Sequence, residues 1–215
     1  TGTVKGFEFV GGLVGENMTL IERSFSDINV FSTYRLGGLV GLNTGLVNES
    51  SSRSKLSGEV YLGGLVGQNE GNISSSYAII SIIDGMDVGG IVGDNAKSGT
   101  VKNCFAKGRI SNAHNMGGIV GNDKGRVDDV YSVVKIVGGQ HNLILGKNYG
   151  PLIGDATDIF TVFGYWDKDV SGIKKAKLGK GKTTLEMKQK ETYNFFDFNN
   201  IWTINPLIND GYPFL

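Results

Sequence analysis

Disulfide stapling is excluded at the outset, because the 215 residues contain a single cysteine, Cys104. That absence leans towards a reducing compartment without ruling out export. Histidine is nearly as scarce. His114 and His141 are each followed by Asn, so the zinc-peptidase pattern His-Glu-x-x-His is missing. Cys104 alone gives no zinc-ribbon spacing. Net charge is also absent, with 21 basic and 21 acidic side chains, which argues against a general nucleic-acid binder and a polybasic membrane tether. No apolar run reaches the ~18 residues of a membrane-spanning helix. Neither a Gly-x-Ser-x-Gly elbow nor a complete phosphate loop is present; Gly179–Thr183 echoes the latter, but Ala176 stands where its first glycine belongs.

What the chain has in excess is glycine, 34 residues, about twice the usual ~7% share. The glycines do not follow the three-residue collagen period. They mark a phrase, Gly11-Gly12-Leu13-Val14-Gly15, that returns at Gly37–Gly41, Gly63–Gly67, Gly89–Gly93 and Gly117–Gly121, at intervals of 26, 26, 26 and 28 residues. A period of that size signals a repeat architecture. Counted from the last glycine of each phrase, Gly15, Gly41, Gly67, Gly93 and Gly121, other columns emerge. Asn17, Asn43, Asn69 and Asn95 stand two residues on, with Asp123 in the fifth copy. Aliphatics follow (Ile21, Val47, Ile73, Val101, Val127), then Ser24, Ser50, Ser76, Cys104 and Val130, then Phe25, Ser51, Tyr77, Phe105 and Tyr131. Small residues come next, from Ser26 to Ser132, and a further aliphatic column runs from Val30 to Ile136. The fourth copy is long because of an insert in Asp94–Thr100.

Short β-branched and aromatic stretches with alternating burial are a strand pattern. No copy holds a sustained helical face, and propeller blades need longer repeats. The expected fold is all-β: a right-handed parallel β-helix (solenoid), with coils ~4.8 Å apart. The second and last glycines of the phrases (Gly12, Gly15, Gly38, Gly41, Gly64, Gly67, Gly90, Gly93, Gly118, Gly121) let one coil turn and nest on the next. The asparagine column is expected to tolerate left-handed φ at a turn and to form a hydrogen-bonded ladder. Cys104 reads as a buried thiol. A sixth phrase ends at Gly154 or at Gly146. Gly154 is preferred because Trp166 then falls where Phe105 falls in the fourth copy, leaving Gln140–Tyr149 as an outward loop.

After about residue 160 the character changes. More than half of the aromatics and all three prolines (Pro151, Pro206, Pro213) lie from 151 onward. Five lysines fall in Lys174–Lys182. Thr183 and Glu186 predict a capping box and a short helix through about Lys190. The open end of a solenoid needs cover, so Trp166, Phe196, Phe198, Trp202 and Tyr212 are expected to form a C-terminal cap. The division is residues 1–158 as a β-helix of about six coils and 159–215 as last coil and cap.

The phrase Gly-Gly-Leu-Val-Gly-x-Asn, with its following aliphatic, Ser and aromatic, resembles the GLUG repeat of bacterial surface proteins such as IgA-cleaving metallopeptidases and filamentous-haemagglutinin-like adhesins. The tail is similar to the segment that often follows it, in Tyr165-Trp166-Asp167, Thr183–Met187, Phe196-Asp197-Phe198 and Tyr212–Leu215. The resemblance implies a bacterial cell-surface, extracellular protein. The chain, opening inside a repeat-like phrase, is expected to be a piece of a larger surface protein. The expected role is a non-catalytic adhesin segment or stalk that presents or binds host protein or glycan, with end-to-end self-association as a further expectation. No enzyme activity, cofactor, metal, nucleic-acid partner or membrane insertion is expected. The alternative is a β-helical carbohydrate-active enzyme, a polysaccharide lyase or hydrolase. Its candidate acids, Asp84, Asp87, Asp94, Asp123, Asp128 and Asp129, do not share one column. Gln140–Tyr149 and the aromatic tail are the preferred binding surfaces.

Overall fold

A computed structural model describes residues 2–138, 148–156 and 162–215. The chain is a parallel β-solenoid in which each glycine phrase starts a coil. The first leg of a coil is short. Val14–Asn17, Val40–Asn43, Val66–Asn69, Val92–Asn95, Val120–Asp123 and Ile153–Ala156 stack as a six-stranded parallel sheet. The remaining legs lie in a 14-stranded sheet. They are a three-residue leg such as Leu46–Asn48 and a long bent leg such as Ser51–Gly63. In later coils the short leg is continuous with the long one, as in Asn72–Ile83, Thr100–Ser111 and Arg126–Val137.

The register matches the columns read from sequence. Tyr77 pairs with Ser51 and Phe105, and Ile82 with Leu56 and Ile110. Asn95 pairs with Asn69 and Thr100 with Asn72, so the two extra residues of the fourth copy lie in the turn Ala96–Gly99. The inward columns, Leu36–Leu62–Val88–Met116 and Leu39–Leu65–Ile91–Ile119–Leu152 among them, form one continuous buried core.

The sixth coil begins at Gly150-Pro151. Gly150 pairs with Gly117 and Ile153 with Val120, which settles the phrase ending at Gly154; Gly146 lies outside the described residues. Trp166 itself falls one residue beyond the Phe105 column expected for it. Tyr165 occupies the Phe105–Tyr131 column, and Trp166 pairs with Ser132 of the small-residue column. A register shift between Asp128 and Val130 supplies the difference.

The glycines of the repeated phrase do not make the corners. Each coil turns at non-glycine residues of left-handed φ. One corner column is Arg23, Glu49, Ser75, Asn103 and Asp129 (φ 45–53°), and the other is Phe9, Arg35, Tyr61, Asp87 and Asn115 (φ 45–58°). Such a conformation is disfavoured for a single L-residue, and the surrounding ladder over-determines it here. The expected left-handed φ of the Asn17 column is not found; those residues lie within extended strands.

The phrase glycines answer to close approach instead. A Cβ on Gly38, Gly64, Gly90 or Gly118 would come closer than 3.0 Å to a carbonyl oxygen of the following coil. A Cβ on Gly41, Gly67, Gly93, Gly121 or Gly154 would come equally close to a corner residue of the preceding longer leg, such as Tyr61 beneath Gly93. Pro151 stands in the first of these columns, opposite Gly118. The strand just after it, Ile153–Ala156, is the last of the six-stranded sheet, so among the described residues no further strand of that sheet follows the position.

The asparagine ladder is present. Asn17 Nδ2 donates to Asn43 Oδ1 (2.7 Å), Asn43 to Asn69 (2.8 Å), Asn69 to Asn95 (2.9 Å) and Asn95 to Asp123 Oδ1 (2.8 Å). Each amide donates C-terminally, so the last rung needs only an acceptor. Asp123 is that acceptor, and the next rung is Ala156. Asn69→Ala would leave Asn43 Nδ2 and Asn95 Oδ1 each a partner short in a buried column. The expected loss is about 2–3 kcal/mol in urea unfolding.

Burial raises the Asp123 carboxyl above its ordinary value, against hydrogen bonds from Asn95 and the Gly125 amide that lower it. The folded state therefore holds this proton more tightly than the unfolded chain does. The stabilisation is complete below the unfolded carboxylate range, about pH 3.9, and is lost as pH rises through the folded value. Asp123→Asn removes that dependence, which unfolding midpoints of the two proteins across acidic to neutral pH would reveal.

The tail contains two short α-helices where one was expected. Asp167 caps Lys168–Ser171 by accepting from the Asp169 and Val170 amides (2.9 and 3.0 Å), and Gly172 ends it at φ 77°. The capping box of Thr183 and Glu186 starts Thr184–Met187, which stops short of Lys190; a 3-10 turn follows at Lys190–Thr192. The expected domain division at 158/159 falls among residues 157–161, outside those described.

Candidate functional site

The aromatic tail forms two separate assemblies. Trp166 lies in the core of the solenoid. Strand Lys180–Lys182 pairs with Tyr165–Asp167 and crosses the indole, and Leu178 packs beside it. This is the end cover. Phe196, Phe198, Trp202 and Tyr212 lie instead on the flank of the coils. Strand alternation turns Tyr77, Phe105, Tyr131 and Tyr165 outward while Cys104 and Ala106 face the core. Tyr77, Phe105 and Tyr131 stack face to face, with centroids 4.8 and 4.9 Å apart. Trp202, Phe196, Tyr193, Tyr212 and Met187 cover this column as a second, wholly aromatic-rich cluster. Trp202 stacks on Phe196 at 4.6 Å.

Polar groups fix the tail there. The buried carboxylate of Asp167 accepts from Thr184 Oγ1 and Tyr212 Oη, both at 2.7 Å. Lys107 donates to Asn209 and Asp210 (2.9 and 2.6 Å), and the Tyr131 hydroxyl donates to the Pro213 carbonyl. Burial raises the Tyr131 phenol well above its usual value, so it remains a neutral donor.

The aromatic column ends on one side at Tyr77, which has Ser51 rather than another ring above it. There Tyr77 lines a half-open cavity of about 440 Å³ with Arg23, Glu49, Ser50, Ser75, Asn200 and Leu215. Arg23 Nε donates to Glu49 Oε2 at 2.8 Å across one coil step, and this bond with its charge holds the Glu49 carboxyl below the usual carboxylate range. A ring face beside a fixed ion pair and hydroxyl groups offers stacking to an apolar sugar face and both donors and acceptors to its hydroxyls. Sequence reading passed over Arg23 and Glu49. The signal was there: opposite charges 26 residues apart share a column.

The candidate acids do not form one cluster, although burial first, and the Asp94 charge in addition, raise the Asp87 and Asp123 carboxyls. Asp123 ends the ladder. Asp94 accepts from Asn122 (2.7 Å) and Lys124 (3.1 Å), and Asp87 from Asn115 (2.6 Å). Asp128 pairs with Arg126, Asp129 lies at a left-handed corner 4.0 Å from Lys102, and Asp84 is exposed at its own left-handed residue. Among the described residues no three His, Cys, Asp or Glu side chains are grouped to hold a metal ion. Cys104 is fully buried, and burial pushes its thiol up to about 12; it is a core residue. Of the loop Gln140–Tyr149, only Asn148 and Tyr149 are among the described residues.

Residues 84–111 match the family described as the GLUG motif. That coil carries the GLUG motif. The matched stretch runs from the corner at Asp84 through Gly89–Gly93 and Asn95 to the end of the long leg at Ser111. The neighbouring copies of the glycine phrase share its columns in register. No curated protein and no solved structure matches the chain. Among the described residues no helix is long and apolar enough to cross a membrane.

Proposed function

We propose that this GLUG solenoid is a non-catalytic module of a bacterial cell-surface protein, an adhesin segment that contacts glycan through the Tyr77 cavity. The observation that carries the reading is the division of labour among side chains. The repeating columns hold coil to coil, whereas Tyr77, Arg23, Glu49 and Asn200 meet at an open face where tail and coils adjoin. The candidate acids support it too, because Asp94 accepts from Asn122 and Lys124, Asp87 accepts from Asn115 and Asp128 pairs with Arg126, and among the described residues no three acids group to hold a cation. A carbohydrate-active enzyme needs such convergence, whether as paired carboxylates or as calcium ligands.

The test is a glycan array probed with the full chain, alongside Tyr77→Ala and Arg23→Ala. Binding of a defined glycan, weakened about tenfold or more by either substitution, is the expected result. Release of any oligosaccharide from a polysaccharide by the purified chain would overturn the non-catalytic reading. Uniform absence of glycan binding would reduce the module to a stalk. Immunodetection on intact cells producing the natural protein tests the surface location separately.

A further inference from the structure

The two ends of the solenoid differ. At the far end two devices that pass coil to coil have been withdrawn, the glycine column and the asparagine ladder. In the column of Gly38, Gly64, Gly90 and Gly118, the backbone N–H donates to the next coil, as Gly90 N does to Gly117 O at 3.0 Å. Pro151, in that column, has no N–H, and its side chain stands where only a glycine leaves room for another carbonyl. The ladder stops on Asp123 with Ala156 beyond it, and Lys180–Lys182 lies over Tyr165–Asp167.

At the first coil both devices are present on the outward side. Val14–Asn17 is the outer strand of its sheet, and Leu20–Glu22 pairs on one side only. Leu13 is 48% exposed, whereas Leu39, one coil on in the same column, is fully buried. Leu39 O accepts from both Leu13 N and Val14 N, and Gly37 O from Gly12 N. By the same repeat, Leu13 O and Gly11 O face outward as acceptors. Asn17 Oδ1 occupies the place at which Asn43 Oδ1 receives a side-chain amide, and accepts there, among the described residues, only from the Thr19 N–H at 3.3 Å. Strand Thr3–Lys5 already lies one layer outside Asn29–Phe31, in the phase of an earlier coil.

We propose that the outer face of the first coil is a docking surface for one further GLUG coil, running in the same direction. The face continues an interface that the molecule already repeats between successive coils. It specifies its occupant: glycine opposite Gly12, because any Cβ would meet the Gly12 carbonyl; an N–H there for Gly11 O; and an asparagine amide for Asn17 Oδ1. The chain's own sixth coil has Pro151 and Ala156 at these places. A second copy therefore cannot dock head to tail, which argues against the end-to-end self-association expected from sequence. The inference goes beyond the glycan reading and does not depend on it.

The test extends the full chain with a copy of residues 27–52 placed directly before Thr1, which keeps the 26-residue phase. A second extension carries Gly38→Pro and Asn43→Ala within the copy. The first is expected to raise the thermal midpoint by several degrees. The doubly substituted copy is expected to leave the midpoint unchanged. Equal behaviour of the two extensions would overturn the proposal. So would sedimentation of the unextended chain as a dimer at micromolar concentration that Leu13→Glu dissolves, since the occupant would then be a second copy.

Discussion

Gly64→Ala is expected to lower the stability of the chain by about 3 kcal/mol or more, with the urea midpoint falling accordingly. The added methyl would stand closer than 3.0 Å to the Gly90 carbonyl oxygen and to a methyl of Ile80. The carbonyl cannot move aside alone. Its coil is held by the hydrogen bonds of Gly64 N to Gly89 O (3.0 Å) and of Leu65 N and Val66 N to Ile91 O (3.0 and 2.9 Å). Relief would require lifting one coil off the next across the core. Gly172→Ala is the contrast. No atom lies within 4 Å of its added methyl, so only the left-handed φ of 77° opposes it, at about 1–2 kcal/mol.

Trp202→Ala is expected to cost about 3–5 kcal/mol and to release the tail from the flank. Trp202 is 1% exposed, stacks on Phe196, and packs against Phe105 and Tyr131 with centroids 6.2 and 5.7 Å away. Its indole N–H reaches Asn103 Oδ1, a corner residue of the fourth coil, at 3.4 Å. Removing the ring opens a cavity between two elements joined mainly by this cluster. Limited proteolysis should then cut within 184–215 before the coils are attacked. The wild-type chain should resist at both places. Loss of the whole fold in a single step, with no tail-specific cleavage, would show that tail and coils are one cooperative unit.

The coils were legible because stacking repeats the same constraint every 26 residues. A position that must be glycine beneath one carbonyl must be glycine beneath the next, so Gly38, Gly64, Gly90 and Gly118 form a visible column. The ladder was legible for the same reason. The corners were not. Left-handed φ at Arg35, Tyr61 and Asp87 is imposed by the stacked backbone, and no side-chain type marks it. The tail was half legible. Local chemistry announced the capping box at Thr183 and Glu186, yet nothing local says that Trp166 turns inward while Phe196 and Trp202 fold back along the flank. That depends on an outward ring column built from residues 77, 105, 131 and 165, one per coil. The Tyr77 cavity needs three such distant pieces at once, a corner ion pair, a ring and the returning tail, and so appears only in the fold.

The second glycine of each phrase leaves room for the coil that follows, and Pro151 stands in that column where the six-stranded sheet ends. The most direct measurement compares two adjacent members of one column, Gly118→Ala and Pro151→Ala, by urea unfolding. Gly118 lies beneath the Pro151 carbonyl, closer than 3.0 Å to an added methyl; Pro151 has no such neighbour on a following strand. The account predicts a loss of about 3 kcal/mol or more for Gly118→Ala and about 1 kcal/mol or less for Pro151→Ala. Equal losses at the two positions would contradict it.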